Sequence, residues 1–411
     1  MVGNGTVTGF GAVNGAQLEV GRGYTFVAKP ALNWLFAGWT GTVHEISPTI
    51  SFLLESNTAI TVLFASNQFP HAKGTYYGLF LDPALADQQS SGGLKLTLSD
   101  RGSYSAQMQM NGRTHRFTGS FSPDGGETNF VERVGTNDLL IRMAIDLLNE
   151  PGHLVGIVTN YFVNSTETNL WRADLEANRP LPRNAQNPSA LAGKYTLVIP
   201  TDSGSSEGPG GDGFGTMSVS TQDRISLAGT LADGTKVSQS TLVSPAGRWP
   251  LYVPLHRGKG AFVSWVEFDT NVVESDFGGN ASWFKQTQSA QFYPGGFTNR
   301  TQVVGSRFVA PTTGNVIDLA EGLASFTGGN LPADFSNNFT LNLNGSIENN
   351  SDNRLALTIN RTSGLFTGSV TPPGETFSIP FKGAVLQKQA AGSGFFLNSS
   401  LSGRVVLEGR D

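Results

Sequence analysis

From Arg248 to Phe268 the chain reads RWPLYVPLHRGKGAFVSWVEF, two extended runs rich in β-branched and aromatic residues joined by Arg257-Gly-Lys-Gly260. Runs of this composition around a short glycine-bearing turn specify a β-hairpin. Pro250 and Pro254 cannot donate ladder hydrogen bonds, so the first run belongs on a sheet edge or a barrel rim. The rest of the chain repeats the theme. From Gly74 onward, GTYYGLFLD, GGLKLTLSD, GSYSAQMQMN and HLVGIVTN alternate with Gly, Asn, Asp and Ser turns. Short strands spaced roughly 8–12 residues apart point to an antiparallel sandwich or barrel. Only Asp138 to Leu148 leaves helix and strand both open, because Leu139, Ile141, Ala144 and Ile145 fit neither period cleanly.

Self-similarity divides the chain further. Gly193-Lys-Tyr195 answers Gly74-Thr-Tyr76, and the Pro-rich stretch Arg179 to Pro188 separates them. Phe117-Thr-Gly119-Ser-Phe121, Leu227-Ala-Gly229-Thr-Leu231 and Phe366-Thr-Gly368-Ser-Val370 share one local grammar, which implies duplicated units. Four units are expected: a small β module over 1–66, a first barrel-like domain over 74–182, a related second over 190–311, and a third, partial unit over 312–411 that lacks the opening Gly-x-Tyr. Asn67 to Lys73 reads as a linker. The expected fold is all-β, in tandem antiparallel up-and-down barrels, since a meander that closes on itself removes its edges. A β-propeller is the rival, but it needs a period near roughly 40–45 residues that the chain does not show.

Charge and cysteine narrow the partners. With a net charge of −5 and no basic cluster, the chain has nothing to neutralise a phosphate backbone, so nucleic acid is not an expected partner. No apolar run approaches the roughly 20 residues of a membrane-spanning helix. The absence of cysteine excludes disulfides, thiolate nucleophiles and zinc–sulfur sites together. The five histidines are scattered, and neither a Gly-x-Ser-x-Gly elbow nor a Walker loop occurs.

Within 1–66, Val27-Ala-Lys-Pro30, Phe36-Ala-Gly-Trp39-Thr-Gly41, Pro48-Thr-Ile and Val62-Leu-Phe64 resemble the small bacterial surface repeats related to the internalin B-repeat. That resemblance implies a spacer or adhesive bead with the Gly38-Trp39 step as its core signature, and Trp34 and Trp39 are expected to pack in the core, as aromatics of small domains do. Residues 74–411 are similar to C-terminal regions of large bacterial exoproteins of unassigned function, through GKYTLVIP, LAGTLADGTKVSQST, WPLYVPL, YPGGFTN and FKGAVLQKQ. This resemblance implies an extracellular or cell-surface location and brings no catalytic residues. Because the chain opens on what reads as the middle of a strand-and-turn module, it is expected to be part of a longer exported polypeptide.

Three groups of residues carry candidate chemistry. Trp249, Tyr252, Trp265, Trp283 and Tyr293 could form an aromatic platform for the apolar face of a sugar, with Trp265 and Trp283 directly opposite if their strands pair symmetrically about Glu274. Packing in a core is the ordinary fate of such residues. Glu267 and Asp269 lie in an acidic cluster with Glu274 and Asp276, and two carboxylates are the minimum for glycoside hydrolysis. By strand parity Trp265 and Glu267 share a face. Asp202, Glu207 and Asp212 sit among glycines and offer oxygen ligands suited to calcium, the one cofactor this sequence suggests. The function expected is binding of a glycan or other extracellular ligand by a secreted or surface-displayed protein. A secreted glycosidase is the alternative, and a spacer with filled barrels is the third.

Overall fold

The computed structural model describes residues 1–82, 86–161, 171–201 and 208–410. It contains three eight-stranded antiparallel sheets, each curled into a nearly closed barrel, behind a small module of two short sheets. Among the described residues no radial blades occur, so the propeller is not needed. Alternation drives the curling. In the strand Ser103–Met110, Tyr104, Ala106, Met108 and Met110 are buried while the intervening residues are exposed, which is the pattern of a wall with one dry face. Asp138–Ile145 resolves the same way, as a strand whose Leu139, Ile141, Met143 and Ile145 point inward.

All three barrels close by one rule: the first strand of each pairs with the eighth. In the first barrel Gly74–Leu81 pairs with Arg172–Asn178, in the second Gly193–Ile199 with Phe297–Arg307, and in the third Glu321–Gly328 with Leu401–Gly409. The third unit therefore has all eight strands, correcting the expectation of a partial copy; what it lacks is only the opening motif. The repeated apolar-small-Gly motif also proves not to mark equivalent positions. It falls in the fourth strand of the first barrel (Arg113–Ser120), the third of the second (Arg224–Thr230) and the fifth of the last (Leu365–Val370), because it encodes a generic strand-to-turn transition.

Gly-x-Tyr, by contrast, does the same job twice. The Tyr76 hydroxyl donates to the Ala72 carbonyl at 2.6 Å, and that of Tyr195 to the Leu191 carbonyl at 2.7 Å. At the far end of each domain an arginine completes the clasp. Arg179 Nη1 donates to the Lys73 carbonyl and Arg307 Nη2 to the Ala192 carbonyl, both at 2.7 Å. Glycine is required at 74, where φ is +148° and a Cβ would lie 2.6 Å from Arg179 Cδ; at 193 a Cβ would lie 3.0 Å from Arg307 Nη2, a contact the end of the arginine can relieve. The stretch expected to be a linker before the first barrel is also part of this device. Phe69–Ala72 forms one helical turn, and Phe69 enters the barrel's apolar core.

Each barrel leaves a seam in mid-chain where two edge strands lie side by side without a backbone ladder. Side-chain amides, which both donate and accept, bridge it. Asn129 Nδ2 donates to the Thr118 carbonyl at 3.0 Å in the first barrel. In the second, Gln239 Nε2 donates to the carbonyls of Pro250 (2.9 Å) and Tyr252 (3.3 Å), and its Oε1 accepts the Trp249 indole N–H at 2.7 Å. In the third, Asn349 Nδ2 of the edge strand Ile347–Asn349 donates to the carbonyl of Asn353, just before the facing strand Leu355–Ile359, at 2.7 Å, and Asn353 exchanges two side-chain hydrogen bonds of 2.9 Å with Asn337. Arg248–Leu255 is the edge strand of the second sheet, where its two prolines direct it.

The interiors are filled. The second barrel retains a void of about 10 Å³ among Leu197, Phe214, Leu227, Leu251, Phe262 and Val303, at the limit of what a single water needs. Phenylalanines 326, 366, 381 and 396 fill the third. In the N-terminal module Trp39 is buried against Ile50, Val62 and Phe64 and donates its indole N–H to the Ser47 carbonyl, while Trp34 packs at the margin.

Replacing Gln239 by Leu strips the buried Trp249 N–H of its acceptor and opens the seam. We expect a loss of about 1–3 kcal/mol in urea denaturation, against roughly 1 kcal/mol for Tyr195→Phe. A Gln239→Leu protein as stable as the parent would mean that packing alone closes the barrel.

Candidate functional site

With the barrel interiors occupied, the space available to a ligand lies outside them. The sixth strand of the second barrel, Gly260–Phe268, sends Phe262 and Val266 into the core and Val263, Trp265 and Glu267 outward. Val263 joins Tyr252, Ala261 and Phe284 in an apolar patch covered by Leu79 and Ala86 of the first barrel. Beside this contact lies a groove of about 890 Å³. Trp265, Glu267, Asn280, Arg300 and Gln302 of the second barrel and Asp82 of the first line it together.

The groove is charged at one end. The Arg248 guanidinium lies over the Trp265 ring, 4.4 Å from its centroid, with Nε 3.1 Å from Glu267 Oε1 and Nη1 paired with Glu176 of the first barrel. His153 Nε2 stands 3.5 Å from the same Glu176 oxygen. Arg248 thus ties the two barrels and fixes the indole, since a guanidinium stacks well on an aromatic face. Glu267 remains 64% exposed at the rim.

The five aromatics proposed as one platform are dispersed. Trp249 and Trp283 are both 0% exposed in the core of the second barrel, with Trp283 packed edge-on against Phe297 at 4.7 Å. Trp283 pairs with Phe262 instead of Trp265. An offset of three positions is odd, so the two indoles fall on opposite faces of the wall. Tyr252 is outward-facing but covered by the first barrel, where its ring meets Gly93; burial pushes its hydroxyl up, and the oxygen has no hydrogen-bond partner among the described residues. Tyr293 is buried at the junction with the third barrel, its hydroxyl 2.9 Å from Ser402 Oγ and accepting the Ser402 N–H at 2.8 Å. Of the five, only Trp265 lines the groove, on the same side of its strand as Glu267, as strand parity required.

The expected carboxylate pair is likewise separated. Asp269 lies past the end of the strand, where its carboxylate accepts the Asn271 N–H at 3.0 Å, and it does not line the groove. Asp276 is buried and pairs with Lys388 Nζ of the third barrel at 3.0 Å, while the same ammonium donates to the carbonyls of Val272 and Ser275. That loop is folded around a lysine. Lys285 is committed to Asp233 Oδ2 at 3.0 Å inside the barrel end. There, burial holds His256 below the ordinary histidine range, outweighing the opposing pull of Asp233.

Of the calcium candidates, Asp202 and Glu207 lie outside the described residues. Asp212 is buried, and hydrogen bonds occupy both of its oxygens. Oδ1 accepts from Arg404 Nε at 2.9 Å and from the Thr201 N–H at 3.0 Å, and Oδ2 accepts from Ser393. Burial pushes this carboxyl up, and Arg404 and Ser393 pull it back. Asp212 therefore joins the second barrel to the third, and a cation would have to displace an arginine to reach it. Among the described residues no group of three or more potential metal ligands occurs.

Sequence reasoning passed over Arg248, Asn280, Arg300 and Gln302. Only Arg248 carried a signal, since the hairpin's ends bring it opposite Glu267; the others come from the seventh and eighth strands, and register alone reveals that they converge.

No protein-family model matches the chain, and no curated protein matches its sequence. Among solved structures it is similar to a protein of unknown function of the DUF3598 family from Nostoc punctiforme, at 10% identity over 59% of this chain and 98% of that one, with a TM-score of 0.20. A protein from Lactobacillus plantarum aligns at 9% identity over 82% of this chain and 100% of that one, with a TM-score of 0.12. At such scores neither likeness bears on fold or function.

The dispersal of the aromatics is testable by stability alone. Trp283→Ala should cost about 3–5 kcal/mol in chemical denaturation as a core truncation, and Trp265→Ala clearly less. Equal losses would place both indoles in one environment. Arg404→Met, which strands a buried carboxylate, should cost roughly 3 kcal/mol.

Proposed function

We propose that this chain is a secreted or surface-displayed bacterial β-protein that binds a glycan in the groove between its first two barrels. One observation carries the reading: the groove has the size of a ligand cleft and sets the half-buried Trp265, fixed by Arg248, among hydrogen-bonding side chains at Asn280, Arg300, Gln302 and Glu267. An indole edge or face beside amide and carboxylate groups suits a sugar, whose rings have an apolar side and hydroxyl rims. The filled interior of the second barrel argues against a lipocalin-like ligand held inside it. The extracellular setting rests on the resemblance of residues 74–411 to exoprotein C-terminal regions and on the low proportion of charged residues, 14%.

A hydrolase keeps one point in its favour. Asp82 and Glu267 approach the same groove from different barrels, so two carboxylates face a common space even though Asp269 is not one of them.

On a glycan array followed by calorimetry, a hit should weaken at least tenfold in Trp265→Ala and in the double variant Asn280→Ala, Gln302→Ala, with circular dichroism unchanged. A glycan bound equally by both variants would remove the groove from consideration. Turnover of a chromogenic glycoside that disappears in Glu267→Gln would replace binding by hydrolysis.

A further inference from the structure

A second pocket lies at the seam of the first barrel, with Gly258 and Gln286 of the second barrel at its margin. Its volume is about 340 Å³, enough for one sugar residue and its substituents. Three basic side chains converge on it: Arg113 and His115 from the fourth strand, Arg113–Ser120, and Arg133 from just past the fifth, Gly126–Val131. None of the described aspartates or glutamates lines it. In a chain of net charge −5, three basic groups gathered without a carboxylate run against the overall balance.

The groups are held in place without a salt-bridge partner among the described residues. Arg133 Nε donates to the Asn137 carbonyl at 2.6 Å, and Nη1 rests against Met110 Sδ at 3.8 Å. Asp138 accepts the Arg133 backbone N–H through Oδ1 at 2.9 Å and acts on the Arg133 guanidinium only through its field. Arg113 Nη1 reaches the Val134 carbonyl across the seam at 3.5 Å. Among the described residues neither arginine forms a side-chain ion pair. The mutual field shows in His115, which is held below the ordinary histidine range by burial and then by Arg133 and Arg113.

The remaining lining describes the rest of the ligand. Trp171 contributes a half-buried indole. Asn111 offers a buried Oδ1 with no donor among the described residues, and a buried acceptor left unpaired is destabilising unless a ligand or water supplies the hydrogen. Cations for an anionic group, an acceptor for a hydroxyl and an indole for an apolar ring face are the complement of one chemical class. We propose that this pocket binds an acidic sugar residue, its carboxylate held by Arg113 and Arg133.

The test is calorimetry on the 411-residue protein with a uronic acid oligosaccharide and with its neutral hexose counterpart. The uronate should bind and the neutral sugar at least tenfold more weakly. Arg113→Gln and Arg133→Gln should each reduce uronate affinity tenfold or more, and Trp265→Ala should leave it unchanged. Arg113 is exposed, so its variant carries the test if Arg133→Gln does not fold. The proposal is overturned if the two sugars bind alike, if folded Arg113→Gln binds as the parent does, or if Trp265→Ala abolishes uronate binding, which would move the ligand into the groove.

Discussion

A sheet that ends in mid-air exposes two rows of unpaired backbone groups, and the organisation of this protein answers that constraint three times. Each barrel joins its first strand to its eighth by a backbone ladder, of five, four and seven residue pairs in turn, and leaves its remaining gap in mid-chain, where amide side chains stand in for the missing rungs. The choice of residue follows from chemistry. Gln239 must satisfy two carbonyls on a proline-bearing strand and a buried indole N–H at once, and a side chain with one donor or one acceptor could not.

Filling the interiors has a functional corollary. Once the cores are packed with Leu, Val and Phe, any ligand would have to use the outer walls, and concave surface arises where two barrels meet. The junctions are not alike. Between the second and third barrels, Ala384 and Phe395 are counted into the second barrel's own core, and Asp212, Tyr293 and Lys388 add buried polar ties. Between the first and second, a smaller apolar patch and the Arg248–Glu176 pair leave an open groove beside them. The candidate site occupies the looser joint.

Much of the architecture was legible because it depends on local properties. Alternation along Ser103–Met110, the prolines of Arg248–Leu255 and the glycine-bearing turns each report on their own few residues. Gly-x-Tyr was legible as a repeat, although its purpose, a hydroxyl latch four residues back, emerges only with the fold. The site was less legible because facing depends on register. Trp249 and Tyr252 are three apart on one strand and so must face opposite ways, a step that parity alone allowed; Trp283 against Trp265 required a hairpin register, and an odd slip there exchanged inside for outside. Trp265 with Glu267 came through because two residues on one strand need no register. What formed the groove's other wall, Leu81 and Asp82, belongs to a different domain, beyond the reach of any local pattern.

Pairing the first strand with the eighth brings the points where the chain enters and leaves each barrel side by side, as Lys73 and Arg179 are in the first. Tension applied along the polypeptide would therefore peel these two strands apart from one end, loading the rungs one after another instead of all together. Pulled from its two ends, the first barrel would open rung by rung and pay out its chain gradually, in the manner of a shock absorber rather than a stiff rod.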